Sequence, residues 1–198
     1  QAGAEVVING RDAERLEQVA SQIAAATGAV VTPVAADLNA SDGRAALLRT
    51  CPTPDILVNN NGGPPFTDFR DLDRDAIERG VAMNMLTPIE LIQQVIDGMA
   101  DRGFGRIVNI TSVSVKMPVS GLDLSSGARA GLTAFLAGVS RDYANKGVTI
   151  NQLLPGYFHT ERLQQGFDAG AEKSGRDVDA VARAQGITSH KASATGEA

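Results

Sequence analysis

Two side chains four residues apart raise the question of chemistry first. In the stretch LSSGARAGL, Ser125 offers a hydroxyl and Arg129 a guanidinium, and on a helix that spacing puts both on one face. An aliphatic hydroxyl is a far weaker acid than a phenol, and its short side chain reaches less far. A guanidinium keeps its charge at neutral pH and cannot exchange a proton there, so Arg129 is suited to binding rather than to proton relay. The bland alternative is structural: a serine ahead of an alanine-rich helix is a favoured N-cap, a role open to Ser125 or Ser126.

Positioning such groups requires a scaffold, and the chain announces one. Short runs rich in β-branched residues, EVVIN, AVVTPVAAD, DILVNN, GRIVNIT and VTINQLLPG, alternate with longer segments of helical spacing. That alternation means βαβ units and an α/β fold with a doubly wound parallel sheet. The strands are almost wholly apolar, as expected where helices cover both faces and bury the sheet. Helices are expected over about 13–27, 41–49, 73–84, 88–102 and 126–146, with Gly147 as a C-cap for the last. The tail from Ala169 is small and polar, with no clear element.

In an open parallel sheet, ligands bind outside the carboxyl ends of the strands. Those ends carry Asn9-Gly10-Arg11, Asp37, the run Asn59 to Gly63, Thr111-Ser112, and Pro155-Gly156 followed by Thr160. Any one of them reads as turn chemistry. Five in a row point to a groove. Composition narrows its occupant. With 18 Lys+Arg against 23 Asp+Glu and no basic run, neither nucleic acid nor an anionic membrane is a good partner. No apolar run has the length of a membrane span. His159 and His190 lie far apart and away from Cys51, so a metal site is not expected. One cysteine and no signal peptide suit a reducing, cytoplasmic setting. A length of 198 residues fits a single domain.

The segments DILVNNNGG, GRIVNITS and GVTINQLLPGYFHT, with their spacing, resemble the short-chain dehydrogenase/reductase family, and the likeness covers nearly the whole chain. It is similar in particular to the 3-oxoacyl-[acyl-carrier-protein] reductase type. The resemblance implies a Rossmann-like fold and an NAD(P)-dependent oxidoreductase acting on a small-molecule carbonyl or alcohol. It places the family's active-site asparagine on Asn84, its serine on Ser112 and its Pro-Gly turn on Pro155-Gly156. Thirteen residues beyond the serine, where the family has its tyrosine, stands Ser125, and four further, in place of lysine, stands Arg129. It also implies a homodimer or homotetramer paired through the helices beginning near Pro88 and Ser126.

The same resemblance assigns the cofactor side. Arg11, next to a strand end with no carboxylate, favours NADP(H) over NAD(H) by holding a 2′-phosphate; alternatively it is solvated or pairs with Asp12 or Glu14. Asp37 would contact adenine or else cap a helix or make an Asx turn. Asn60 and Gly62 would approach the ribose, and Asn61, where the family pattern has alanine, would add a polar side chain there or face solvent. Thr160 would reach the nicotinamide carboxamide or cap a helix, and Arg129 would grip ribose hydroxyls. Ser112 would stabilise the developing oxyanion unless its hydroxyl serves a neighbouring loop amide. Asn84 would organise water, and Ser125 or a water beside it is the default proton donor. Tyr143 with Lys146 has the wrong spacing and lies at the far end of its helix, while Tyr157 would lie near the nicotinamide or pack on the next helix. A catalytically impaired relative serving as a cofactor-binding or interaction module is the alternative. Both ends read as cut: the family's first strand with its glycine-rich turn, and its last strand, are missing, so the sequence is expected to be a portion of a longer protein.

Overall fold

The computed structural model describes residues 3–117, 119–156 and 161–184. Five strands, β1 Val6–Gly10, β2 Val31–Ala35, β3 Ile56–Asn59, β4 Gly105–Ile110 and β5 Val148–Leu153, match the five expected runs, with β1 ending one residue past its run. All pairings are parallel: β1 with β2, and β3 with β4 with β5. Between them run α1 Ala13–Thr27, α2 Ser41–Thr50, α3 Arg74–Val81, α4 Thr87–Asp101 and α5 Asp123–Ala144, and beyond β5 lie α6 Glu161–Ser174 and α7 Val178–Ala184.

The core forms where α4 lays its stripe on the sheet. Ile89, Ile92, Val95, Ile96 and Met99 recur at helical spacing and meet Ile107 of β4, Val148 of β5, and Leu132 and Leu136 of α5. Leu48 of α2 and Leu57 of β3 close its margin. The α2 and α4 helices are further tied by an Arg44–Glu90 ion pair at 2.9 Å and by a Thr87 hydroxyl donating to Asn39 Oδ1 at 3.1 Å.

Three expectations are corrected. The sheet was expected to be covered on both faces, yet Ile56 and Val58 are each 57% exposed and Leu153 55%. These side chains alternate away from Leu57 and Ile150, which face the core. Among the described residues the strands pair as two separate groups, so α4 and α5 cover only one face of the three-stranded group. The second correction concerns the helix expected to stop at Asn84. Here α3 passes without interruption into a π-helical turn, Ala82–Leu86, and on into α4. Pro88 has no N–H to offer the carbonyl of Asn84 four residues back, which favours a local change of hydrogen-bond spacing.

The last correction is at the start of α5, which begins at Asp123, ahead of the expected 126, and is preceded by Leu122. Ser125 and Ser126 therefore lie inside the first turn and neither is its N-cap. Ser126 instead donates back to the Leu122 carbonyl at 2.8 Å. At the other end Asn145 is the cap and Gly147 follows with φ 77°; a side chain at 147 would collide with the carbonyl of Gly103.

Candidate functional site

The constellation assembles at the carboxyl ends of β3 and β4. Asn84, in the π-helical turn and 2% exposed, donates from Nδ2 to the Gly62 carbonyl at 2.6 Å. Asn61 does not face solvent; its Nδ2 donates to the Met83 carbonyl at 2.9 Å. The loop after β3 is thereby fastened twice to the same turn.

From α5, the Ser125 hydroxyl donates to Asn84 Oδ1 at 3.2 Å and accepts from Arg129 Nε at 3.2 Å. The rest of the guanidinium reaches across the strand ends: Nη1 donates to the Ile110 carbonyl at 2.8 Å and Nη2 to the Asn61 carbonyl at 3.2 Å. Main-chain pairing of β3 with β4 stops at Asn59 and Asn109, so Arg129 carries the tie one step further, where the strands begin to part. Ser125 is 7% exposed, and its proton and a lone pair are both engaged within the protein.

Ser112 ends the β4 segment and opens a short 3₁₀ turn, Val113–Val115. Its Oγ accepts from the Ser114 amide at 3.1 Å, the loop-amide contact foreseen as an alternative. That contact uses a lone pair and leaves the hydroxyl hydrogen available to a ligand. The backbone around it is anchored to β5, with Thr111 N–H donating to Leu153 at 2.8 Å and Val113 N–H to Pro155 at 2.9 Å. Ser112, Pro155 and Gly156 thus share one edge with the Arg129 network.

The nucleotide-side residues are placed as follows. Arg11 is exposed just past β1 and pairs with neither Asp12 nor Glu14; Asp12 instead caps α1, accepting from the Arg15 amide at 3.0 Å. Asp37 makes the Asx turn, accepting from the Asn39 amide at 3.0 Å and its side chain at 2.9 Å. Asn60 and Gly62 are exposed, and a side chain at Gly62 or Gly156 would meet open space. Thr160 and Tyr157 lie outside the described residues. Tyr143 is far down α5, donating to Asp97 Oδ1 at 2.7 Å, with Lys146 Nζ 4.4 Å from its ring centre. The bond to Asp97 raises its pKa above the ordinary phenol value, followed by burial and the Asp97 and Asp142 charges.

Sequence reasoning missed two features that shape this edge, Asn61 as a fastener of the π-helical turn and Phe66, taken up below. The clue to the first was the asparagine itself, where the family pattern has alanine.

The family description short chain dehydrogenase matches residues 1–169. The chain belongs to this family. The chain is 40% identical over 110 residues to an acetoacetyl-CoA reductase of Cupriavidus necator, covering 56% of the chain and 45% of that protein. It is 34% identical over 169 residues to a gluconate 5-dehydrogenase of Gluconobacter oxydans, covering 82% and 65%. It spans about half the length of the first curated relatives it matches. Its fold superposes on the L-sorbose reductase of Gluconobacter frateurii, solved with NADPH and L-sorbose, with TM-score 0.82 at 21% identity, over 92% of this chain and 71% of that one. A second solved structure, a short chain dehydrogenase/reductase family protein, is 32% identical with TM-score 0.76, over 98% and 82%.

Proposed function

We propose that this chain is the core of an NADP(H)-dependent oxidoreductase that interconverts a small carbonyl compound and its alcohol. The observation that carries the reading is the contrast between two hydroxyls on one edge. Ser125 has its proton committed to Asn84, whereas Ser112 has its oxygen oriented by the Ser114 amide and its proton, among the described residues, uncommitted. A donor held this way costs no reorganisation when charge builds on a substrate oxygen.

The dinucleotide, when bound, supplies the hydride. Residues that suit it are the exposed Arg11 for a 2′-phosphate, Asp37 at the β2 end, Asn60 and Gly62 along the ribose, Arg129 beneath, and Pro155, Gly156 and Thr160 beyond β5. The open space over Gly62 and Gly156 fits close approach of a ligand to main chain. The reductases and dehydrogenase among the relatives support a carbonyl or alcohol substrate, and the choice of NADP(H) rests on Arg11. In this reading Ser112 polarises the carbonyl oxygen, Asn84 and Ser125 fix the floor of the site, and Arg129 supplies a charge that does not titrate near neutrality. The alkoxide takes its proton from water, because an aliphatic hydroxyl bonded on both sides is a poor acid. A homodimer or homotetramer fits the same reading; the half-exposed Phe135 on α5 favours pairing through that helix.

A second reading, a cofactor-binding module without turnover, is favoured by the engagement of Ser125 and Arg129 within the protein. Oxidation of NADPH by the full polypeptide against a broad panel of ketones distinguishes the two. Turnover that falls about a hundredfold or more in Ser112→Ala supports the reductase. Tight NADPH binding with no turnover on any ketone overturns it in favour of the module. If Ser125→Tyr with Arg129→Lys creates turnover where there was none, the module reading gains. If it abolishes existing turnover, the native site uses its own proton route.

A further inference from the structure

The loop GGPPF after β3 ends in Phe66, whose ring lies between two glycines from different parts of the chain. A side chain on Gly166 of α6 would come within 3.1 Å of Phe66 Cε2 and 3.4 Å of Cδ2, and one on Gly121 within 3.5 Å of Cδ1. The adjoining amide, Thr67, donates to the Gly121 carbonyl at 3.0 Å. Each partner is close in sequence to the site. Phe66 stands four residues after Gly62, which receives Asn84; Gly121 stands four before Ser125; and α6 begins five residues past Gly156. The α6 helix pairs with α7, where Gly170 faces Val181.

We propose that Phe66 is a positioning residue that seats α6 against the two site loops, its ring occupying a notch that the missing side chains of Gly166 and Gly121 leave open, so that α6 forms the substrate-side wall of the site. The wall's effect on substrate rests on the reductase reading; the seat itself does not. An aromatic ring fills such a notch with a large rigid area. Alanine at 66 empties it, while α6 keeps its own buried anchor, Phe167, 2% exposed, so the variant is expected to fold.

The test is a double-mutant cycle on the full polypeptide, read by hydrogen–deuterium exchange of the amides of α6. Phe66→Ala speeds exchange across α6 by about tenfold and leaves β4 and α5 unchanged. Gly166→Ala speeds it in the native background, where the added methyl presses the ring, and does not in the Phe66→Ala background, where the ring is gone. Phe66→Leu recovers part of the loss. Additive effects, or an α6 indifferent to Phe66→Ala, overturn the proposal whether or not the protein turns over. If a ketone from the panel is reduced, Phe66→Ala raises its KM about tenfold with kcat and NADPH affinity little changed. An unchanged KM beside a loosened α6 would overturn the assignment of α6 as the wall. Absence of all turnover counts against the reductase alone, and the exchange cycle then decides on the seat.

Discussion

Replacing Arg129 by methionine keeps an unbranched stem about as far as Nε and removes the guanidinium fork. The bonds lost include those to the Ile110 carbonyl at 2.8 Å, to the Asn61 carbonyl at 3.2 Å and to Ser125 Oγ at 3.2 Å. A hydrogen bond from a charged donor contributes about 1.5–3 kcal/mol. The short bond to Ile110 belongs in that range, and the two longer ones, at the far end of normal N–H···O distances, contribute less each. Arg129 is half-buried, so water takes up part of what is lost. The net cost expected is about 2–3 kcal/mol, or a fall in Tm of about 4–12 °C for a chain of this size. Urea titration followed by circular dichroism should give a lower midpoint with an unchanged slope, because the same surface is exposed on unfolding.

Two internal controls sharpen the prediction. Arg129→Lys retains the charge but has one compact head that cannot span both carbonyls, so it should fall between the native protein and Arg129→Met. The loss should also be constant between pH 5 and about 9, since a guanidinium does not titrate there. A methionine variant within about 0.5 kcal/mol of native, or a lysine variant as stable as native, would refute the assignment of Arg129 as the strut between the strand ends.

Three further outcomes follow from single side chains. Ser114 is 6% exposed and its Oγ has no hydrogen-bond partner among the described residues, so Ser114→Ala should be neutral or stabilise by up to about 1 kcal/mol in the same titration, against the usual sign for a buried substitution. A methyl at Gly43 would run into the Asp37 carbonyl, so Gly43→Ala should push α2 off the Asx turn after β2 and cost about 3 kcal/mol. Absorbance of the phenolate should show Tyr143 titrating above the ordinary tyrosine value, returning toward it in Asp97→Ala. Its raised pKa means the Tyr143–Asp97 bond stabilises the fold below the ordinary phenol range and is lost as pH rises through the folded value.

The alternation of strands and helices was readable because a parallel sheet demands near-continuous β-branched runs and a crossover demands a helix. The α/β fold rested on that pattern and the family reading on the motifs at the strand ends, and both hold. The π-helical turn shows no periodic sign in the sequence: Pro88 favours a change of spacing there, and tertiary bonds hold it, from Asn61 to the Met83 carbonyl and from Asn84 to the Gly62 carbonyl, each across 22 residues of chain. The extent of α6 and the presence of α7 were not legible for a related reason. Glycines at 166 and 170 lower helix propensity, and in isolation they argue for a loop. In the fold they are the places where Phe66 and Val181 come close, so a local weakness is the condition for a long-range contact.

Types and spacing of Ser112, Ser125 and Arg129 were legible; what Arg129 touches was not, since its reach depends on two strand ends and a helix meeting. That meeting also suggests why serine and arginine occur together. Ser125 Oγ lies 3.2 Å from Arg129 Nε and is nearly inaccessible, so a phenol placed there finds the guanidinium in its way. Conversely, a lysine at 129 beside a serine leaves the space of the fork unfilled. Each single change, Ser125→Tyr or Arg129→Lys, should therefore cost about 1–3 kcal/mol through overpacking or a lost tie. The double change should cost less than the sum by about 1 kcal/mol or more, as residues in direct contact couple. The denaturation midpoints of the four proteins decide it. Strict additivity would mean that the two positions are independent and that the hydroxyl and guanidinium share only a helix face.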